Sequence, residues 1–129
     1  MLNPNELLTL KGNIPIPIHK LFIGHEILTP DGYRVVVHIK MIRHPSKVKY
    51  KIILRNRSVT ECNSSQFFYI DENTVVPAHK LKIGNSVVTK DGTSIVTDVI
   101  QMWQQCATYH PIVNSFDGMF YLHNGVLLK

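Results

Sequence analysis

The chain has 129 residues, 44% of them apolar, and 14 Lys and Arg against 9 Asp and Glu give it a formal charge of +5. That length carries one domain with one core, residues 1–129, and leaves no room for a second. Apolar runs such as Val35-Val36-Val37 are far too short to span a bilayer, and two cysteines, Cys62 and Cys106, do not make a disulfide framework.

Taken in order, the elements are short and mostly extended. Leu7 to Leu10 is a short strand, closed by Lys11-Gly12-Asn13. Ile14, Ile16 and Ile18 then alternate with Pro15, Pro17 and His19, which predicts an edge strand or connector, because proline cannot donate to a ladder. Glu26 to Thr29 is a strand, Pro30-Asp31-Gly32 a turn, and Tyr33 to Ile42 a longer strand. Arg43-His44-Pro45-Ser46 turns the chain, and Lys47 to Leu54 is expected to return as the partner of Tyr33–Ile42. After Arg55-Asn56-Arg57 come strands at Val59–Cys62 and Phe67–Ile70, then a turn at Asp71-Glu72-Asn73 and Val75-Val76. Ser94 to Cys106 is a long strand or strand pair, followed by Thr108 to Val113. Asp117-Gly118 is expected to make a hairpin into Met119–Leu122, and Asn124-Gly125 a turn of type I′ into Val126-Leu127-Leu128. Many short strands with frequent turn signals and no long helical period predict an all-β fold.

The chain also repeats itself. Residues 17–39 align with 77–99 without a gap, and 10 of those 23 positions are identical. They include Pro17/Pro77, His19/His79, Leu21/Leu81, Gly24/Gly84 and Asp31-Gly32/Asp91-Gly92. A single duplication predicts two intertwined β halves related by a pseudo-two-fold axis rather than a long array. His19 and His79 are expected to be equivalent turn or cap residues.

Charge is unevenly placed. From Gly32 to Thr60 there is no acidic residue. Lys40, Arg43, Lys47, Lys49, Lys51, Arg55 and Arg57 form a candidate basic patch, and Lys47, Lys49 and Lys51 alternate with Val48, Tyr50 and Ile52. In a strand this puts the lysines on one face. That face is either a solvated one or a surface for nucleic acid or an acidic protein. No nucleic-acid-binding motif accompanies it.

The order of these pieces is similar to a known family. A strand, Pro-Ile-x-x-Leu-x-Ile-Gly, a strand, Asp-Gly, long strands, Phe68-Tyr69, Val76-Pro77-Ala78-x-x-Leu81, and Phe120-Tyr121 with Asn124-Gly125-Val126-Leu127 resembles the Hint fold of inteins and Hedgehog autoprocessing domains. The resemblance covers nearly the whole chain and is strongest at 16–32, 68–92 and 120–128. It implies a curved β fold with internal pseudo-symmetry. In that family a first-position Cys or Ser attacks the preceding carbonyl, a Thr-x-x-His loop activates the peptide bond, and a terminal His-Asn pair releases the C-terminal side.

Here those positions carry other residues. Met1 stands at the nucleophile. Thr60-Glu61-Cys62-Asn63 puts Asn63 at the loop histidine, and counting back from Phe68-Tyr69 puts Gln66 there instead. Lys129 stands at the penultimate histidine, and His110 lies near a position often acidic in the family. Cys62, with His19, His79 or His123 near it, is the remaining candidate for a reactive centre. No ligand pair has zinc-finger spacing, and neither a metal nor another cofactor is expected. The resemblance with these changes predicts a catalytically silent module that contacts a protein partner or a larger assembly, such as a bacteriophage virion. The basic hairpin and the aromatics Tyr33 and Trp103 would serve as its surfaces. Self-processing and nucleic-acid binding are the alternatives. No signal peptide is visible, so a cytoplasmic or virion location is expected, with no membrane partner.

Overall fold

The computed structural model describes residues 1–43 and 47–129. His44, Pro45 and Ser46, the centre of the turn expected after Arg43, lie outside the described residues. In the first half, strands β1 (Leu7–Leu10) and β2 (Ile14–Pro17) lead into a single 3-10 turn at Ile18–Lys20, then β3 (Glu26–Thr29) and β4 (Gly32–Arg43). β5 (Lys47–Leu54) and β6 (Val59–Asn63) follow. The second half repeats the order with β7 (Phe67–Tyr69), β8 (Val75–Pro77), a 3-10 turn at Ala78–Lys80, β9 (Ser86–Thr89) and β10 (Gly92–Gln104). It closes with β11 (Ala107–Val113), β12 (Phe120–Tyr121) and β13 (Leu127–Leu128). The all-β reading holds.

The duplication is repeated in hydrogen bonds. Ile18 N–H donates to Glu6 O and Ala78 N–H to Gln66 O, both at 2.9 Å. His19 Nδ1 lies 2.7 Å from Pro4 O, and His79 Nδ1 lies 2.9 Å from Ser64 O, so of the two expected roles, turn or cap, the histidines take that of equivalent turn residues, inside the 3-10 turns. Gly24 and Gly84 take φ of 98° and 95° and donate to Val36 O and Val96 O at 2.8 Å. Nothing crowds their α-carbons, so the left-handed backbone itself is what favours glycine there. Buried, half-buried and exposed residues recur in the same order at all sixteen positions of 17–32 and 77–92. The structural repeat also begins earlier than the readable one. Glu6 is the counterpart of Gln66, and Asn3 that of Asn63, although 3–16 and 63–76 share only Asn3/Asn63 and Asn13/Asn73.

The long strands do not pair as the sequence suggests. β4 pairs with β11 and β5 pairs with β10, so each half gives its long strand to the other. A β4–β5 hairpin is the natural expectation from adjacency, but exchange lets both long strands bury their inner faces against the common core. The two exchanged ladders each carry one register shift, at Val37 and at Thr97, again sixty positions apart. The stretch expected from Ser94 to Cys106 as a strand or strand pair is thus one strand, β10, which ends at Gln104. Asp117-Gly118 does not form the expected hairpin, since β11 pairs with β4 and β12 with β13. Asn124-Gly125 does reverse the chain, but only Gly125 has a positive φ. Leu122 N–H bonds Val126 O and Gly125 N–H bonds Leu122 O, a three-residue loop with a left-handed glycine rather than a type I′ turn.

The halves meet at the N-terminal segment. Leu2 bridges to Cys62 and to Tyr109. Asn3 N–H donates to Glu61 O at 3.1 Å and Asn63 N–H to Met1 O at 2.9 Å. Leu2 and Cys62 are themselves sixty apart, so the pseudo-two-fold axis passes between them. Both are fully buried, in one core with Leu8, Ile27, Phe68, Val87 and Phe120.

The basic strand face is also corrected. Lys49 is only 7% exposed. Its ammonium lies 3.1 Å from Glu61 Oε1 and donates to Gln104 Oε1. Glu61 and Gln104 reach it from β6 and from the end of β10, the strands on either side of β5, and Lys51 is half-buried. The side chain of Lys47 is outside the described residues. Lys40 and Arg43 are exposed near one end of the sheet and Arg55 and Arg57 at the far end of β5, so the cations do not form one patch.

Leu21 and Leu81, each 5% exposed, plug the core from equivalent turns. Leu21→Ala and Leu81→Ala should each cost about 2–5 kcal/mol and agree with each other to about 1 kcal/mol, measured by urea denaturation. Widely different costs would mean that the two plugs are not energetic equivalents.

Candidate functional site

The segment before β1 and the loop between β6 and β7 bring the positions singled out by the family resemblance together. Met1 nitrogen donates to Asn63 Oδ1 at 2.8 Å, and Ser65 Oγ donates to the same oxygen at 3.2 Å. Burial pushes the Met1 amine down to about 6, opposed by the Cys62 thiol. Gln66 is 1% exposed. Its Nε2 donates to Phe67 O and to Lys129 O, both at 3.1 Å, and Lys129 N–H donates to Phe67 O at 3.3 Å. Both registers of the loop therefore reach the site, with different roles. Asn63 meets Met1, and Gln66 holds the main chain at Lys129.

His110 completes the group. It stands on β11 directly opposite Lys40 of β4, with its ring edge-on to Phe120 at 5.6 Å. Burial pushes it down to about 4, reinforced by the positive charges of the Met1 amine and Lys40. Met1, Lys40, Ser65, Gln66, Phe67, His110 and Lys129 line a cleft of about 590 Å³.

Other candidates fall away. Cys62 has no exposed surface, and burial pushes its thiol up to about 12, the reverse of what a nucleophilic cysteine needs. His19 and His79 are occupied by the carbonyls of Pro4 and Ser64. His123 Nδ1 is 2.8 Å from Thr9 Oγ1, and neither residue lines the cleft. Cys106 is half-buried with Sγ 3.8 Å from Asn3 Oδ1. It lines a separate cavity of about 460 Å³ with Lys49 and Gln104.

One titratable group had no motif to reveal it. Burial pushes the Glu6 carboxyl up to about 7, with the Glu61 charge adding to this, while a bond from the Glu61 backbone and the Lys49 charge oppose it. Glu6 is the two-fold mate of Gln66. Extending the sixty-residue offset back through positions without identities would have found it.

With the geometry in place, the fold matches solved structures. The chain is similar to the MchDnaB-1 intein at a TM-score of 0.84 with 12% identity, covering 100% of this chain and 99% of that one. An intein-like domain from Clostridium thermocellum superposes at 0.85 with 14% identity, over 99% and 96%. The gp41-1 intein superposes at 0.80 with 17% identity, again over 99% and 96%. No family model and no curated protein matches the sequence. The fold is that of an intein-like Hint domain. Among the described residues, no helix is long and apolar enough to cross a membrane.

The Glu6 carboxyl is raised in the folded state, so folding favours its protonated form. The stabilisation this brings is present at low pH and is lost as pH rises toward 7 and above. Glu6→Gln should therefore stabilise the protein by about 2 kcal/mol at pH 8 and by much less at pH 5. Urea denaturation at the two pH values measures this, and an equal effect at both would show that the carboxyl is not strained by burial.

Proposed function

We propose that this chain is a Hint-fold module that does not rearrange its own backbone and acts through its surfaces. Asn63 carries the reading. In intein-like chemistry the loop residue beside the first main-chain nitrogen is a histidine, which takes up and returns a proton near neutral pH. Asn63 holds that place, with Oδ1 2.8 Å from Met1 nitrogen. A carboxamide can orient a neighbour there but cannot shuttle its proton. The neighbouring Cys62 thiol is buried and supplies no substitute. Surfaces on a retained scaffold then carry the function, and Trp103, 75% exposed on β10, is an aromatic that can meet a protein partner. Tyr33 is half-buried. The nucleic-acid reading loses Lys49 to its pair with Glu61. Nothing in the fold or its relatives supports a place in a phage particle.

Self-processing is the second reading, and one observation favours it. Met1 and Lys129 are both gripped by side chains of one short loop, Asn63 and Gln66, so the two places where a backbone rearrangement would act are adjacent.

A fusion with flanking peptides at both ends, incubated with a thiol, separates the two. The module reading expects an unchanged intact mass over days, and release or ligation of the flanks would overturn it. Crosslinking in the native source should capture a defined protein partner, with Trp103→Ser cutting the yield severalfold while leaving stability within about 0.5 kcal/mol. Equal yield from wild type and variant would remove Trp103 from the contact.

A further inference from the structure

We propose that the cleft between Lys40, Ser65, Gln66 and His110 binds a small oxyanion that still carries a proton, of the class of protonated inorganic phosphate or a small phosphate monoester. This does not depend on whether the chain processes itself.

The cleft has two unmet needs. The first is negative charge. Lys40 and His110 are register partners on β4 and β11, and directly opposed residues share a face of the sheet. Lys129 lines the same cleft, and no Asp or Glu side chain does. The ion pairs among the described residues are Lys11–Glu26 and Lys49–Glu61, so Lys40 has no acidic partner. The groups around His110 are Lys40 from β4, the Met1 amine, Gln66 and Lys129 from the cleft wall, and the Phe120 ring. None of these side chains brings a negative charge, and burial first, then the Met1 amine and Lys40, hold the ring neutral.

The second need is a hydrogen-bond donor. Both hydrogens of Gln66 Nε2 are used, on Phe67 O and Lys129 O. This fixes which end of the amide is oxygen. That oxygen, Oε1, is buried without a partner, a costly state for an acceptor. Gln66 is nine-tenths buried and more, and it lines the cleft.

A ligand that meets both needs must bring anionic oxygens toward Lys40 and His110 and an O–H toward Gln66. Sulfate has the charge without the donor. A phosphate that keeps a proton has both, and over the acid range in which His110 titrates that species is dihydrogen phosphate; Ser65 Oγ adds a hydroxyl that can donate or accept. The cleft, at about 590 Å³, is larger than a phosphate ion and leaves room for the substituent of a monoester.

The test follows the His110 ring by NMR in the folded chain, at constant ionic strength, with the remaining histidines as internal controls. A bound anion favours imidazolium, so saturating sodium phosphate should raise the His110 pKa by about one unit, a tenfold coupling. Sulfate carries two charges over this range against one for dihydrogen phosphate, yet it lacks the O–H and should raise the value clearly less; Lys40→Gln should abolish the rise. If phosphate leaves His110 unmoved, or moves it equally in Lys40→Gln, there is no anion site. If sulfate matches phosphate, the proton-carrying part of the proposal is wrong. Glycerol phosphate separates the sources. A larger rise than with inorganic phosphate assigns a monoester, and an equal one assigns phosphate itself. The sulfate comparison uses the wild-type chain, so it stands even if substitutions at Gln66 fail to fold.

Discussion

The backbone of Leu2 is the contact on which the rest of the structure depends. Leu2 exchanges two hydrogen bonds with Tyr109, at 2.7 and 2.8 Å, while its neighbours bond Glu61 and Asn63 on the other side. One short segment thereby satisfies inner edges of β6 and β11 that would otherwise present unpaired polar groups beside the core. Because Leu2 faces Cys62, its own two-fold counterpart, the segment lies on the axis and ties both halves at once. The same tie sets Met1 against Asn63, so the position of the cleft follows from the way the sheets are closed.

Much of the fold was legible because turns and periodicity are local. Strand positions, the two 3-10 turns and the duplicated Leu-x-Ile-Gly turns follow from residues within a few positions of one another. The partnering of the long strands was not legible. Adjacency favours pairing β4 with β5, and only the shared core rewards the exchange with β10 and β11. Lys49 shows the same limit. An alternating Lys-apolar pattern marks two faces, but whether the second face is covered depends on Glu61 and Gln104, twelve and fifty-five positions away. In the site, the motif register led to Asn63 and Gln66, and both arrive there. Glu6 escaped because its environment is made by β5 and β6, and no residue pattern around it signals burial.

Asn3 and Glu6 in one half answer Asn63 and Gln66 in the other, yet the surroundings have diverged. Around Glu6 there is a lysine and a second carboxylate. Around Gln66 there are cations and the Lys129 main chain. Duplication supplied one backbone frame twice, and the side chains made one copy a buried charged joint and the other an open cleft. This is how a scaffold can keep its geometry while its chemistry changes.

The exchanged strands also constrain the order of events as the chain is made. β4 ends at Arg43, but its partner begins only at Ala107, and β5 waits for β10, which ends at Gln104. Until most of the chain has left the ribosome, the first half can form only its local hairpins, with one edge each of β4 and β5 open. Such late, distant pairing is slow and exposes edges to other copies of the chain. Those waiting strands are the acid-free stretch, bearing Lys40, Arg43, Lys47, Lys49 and Lys51. Like charges on an open edge oppose pairing with a second chain, so the charge that forms no single patch in the finished fold acts earlier, while the strands are still without partners.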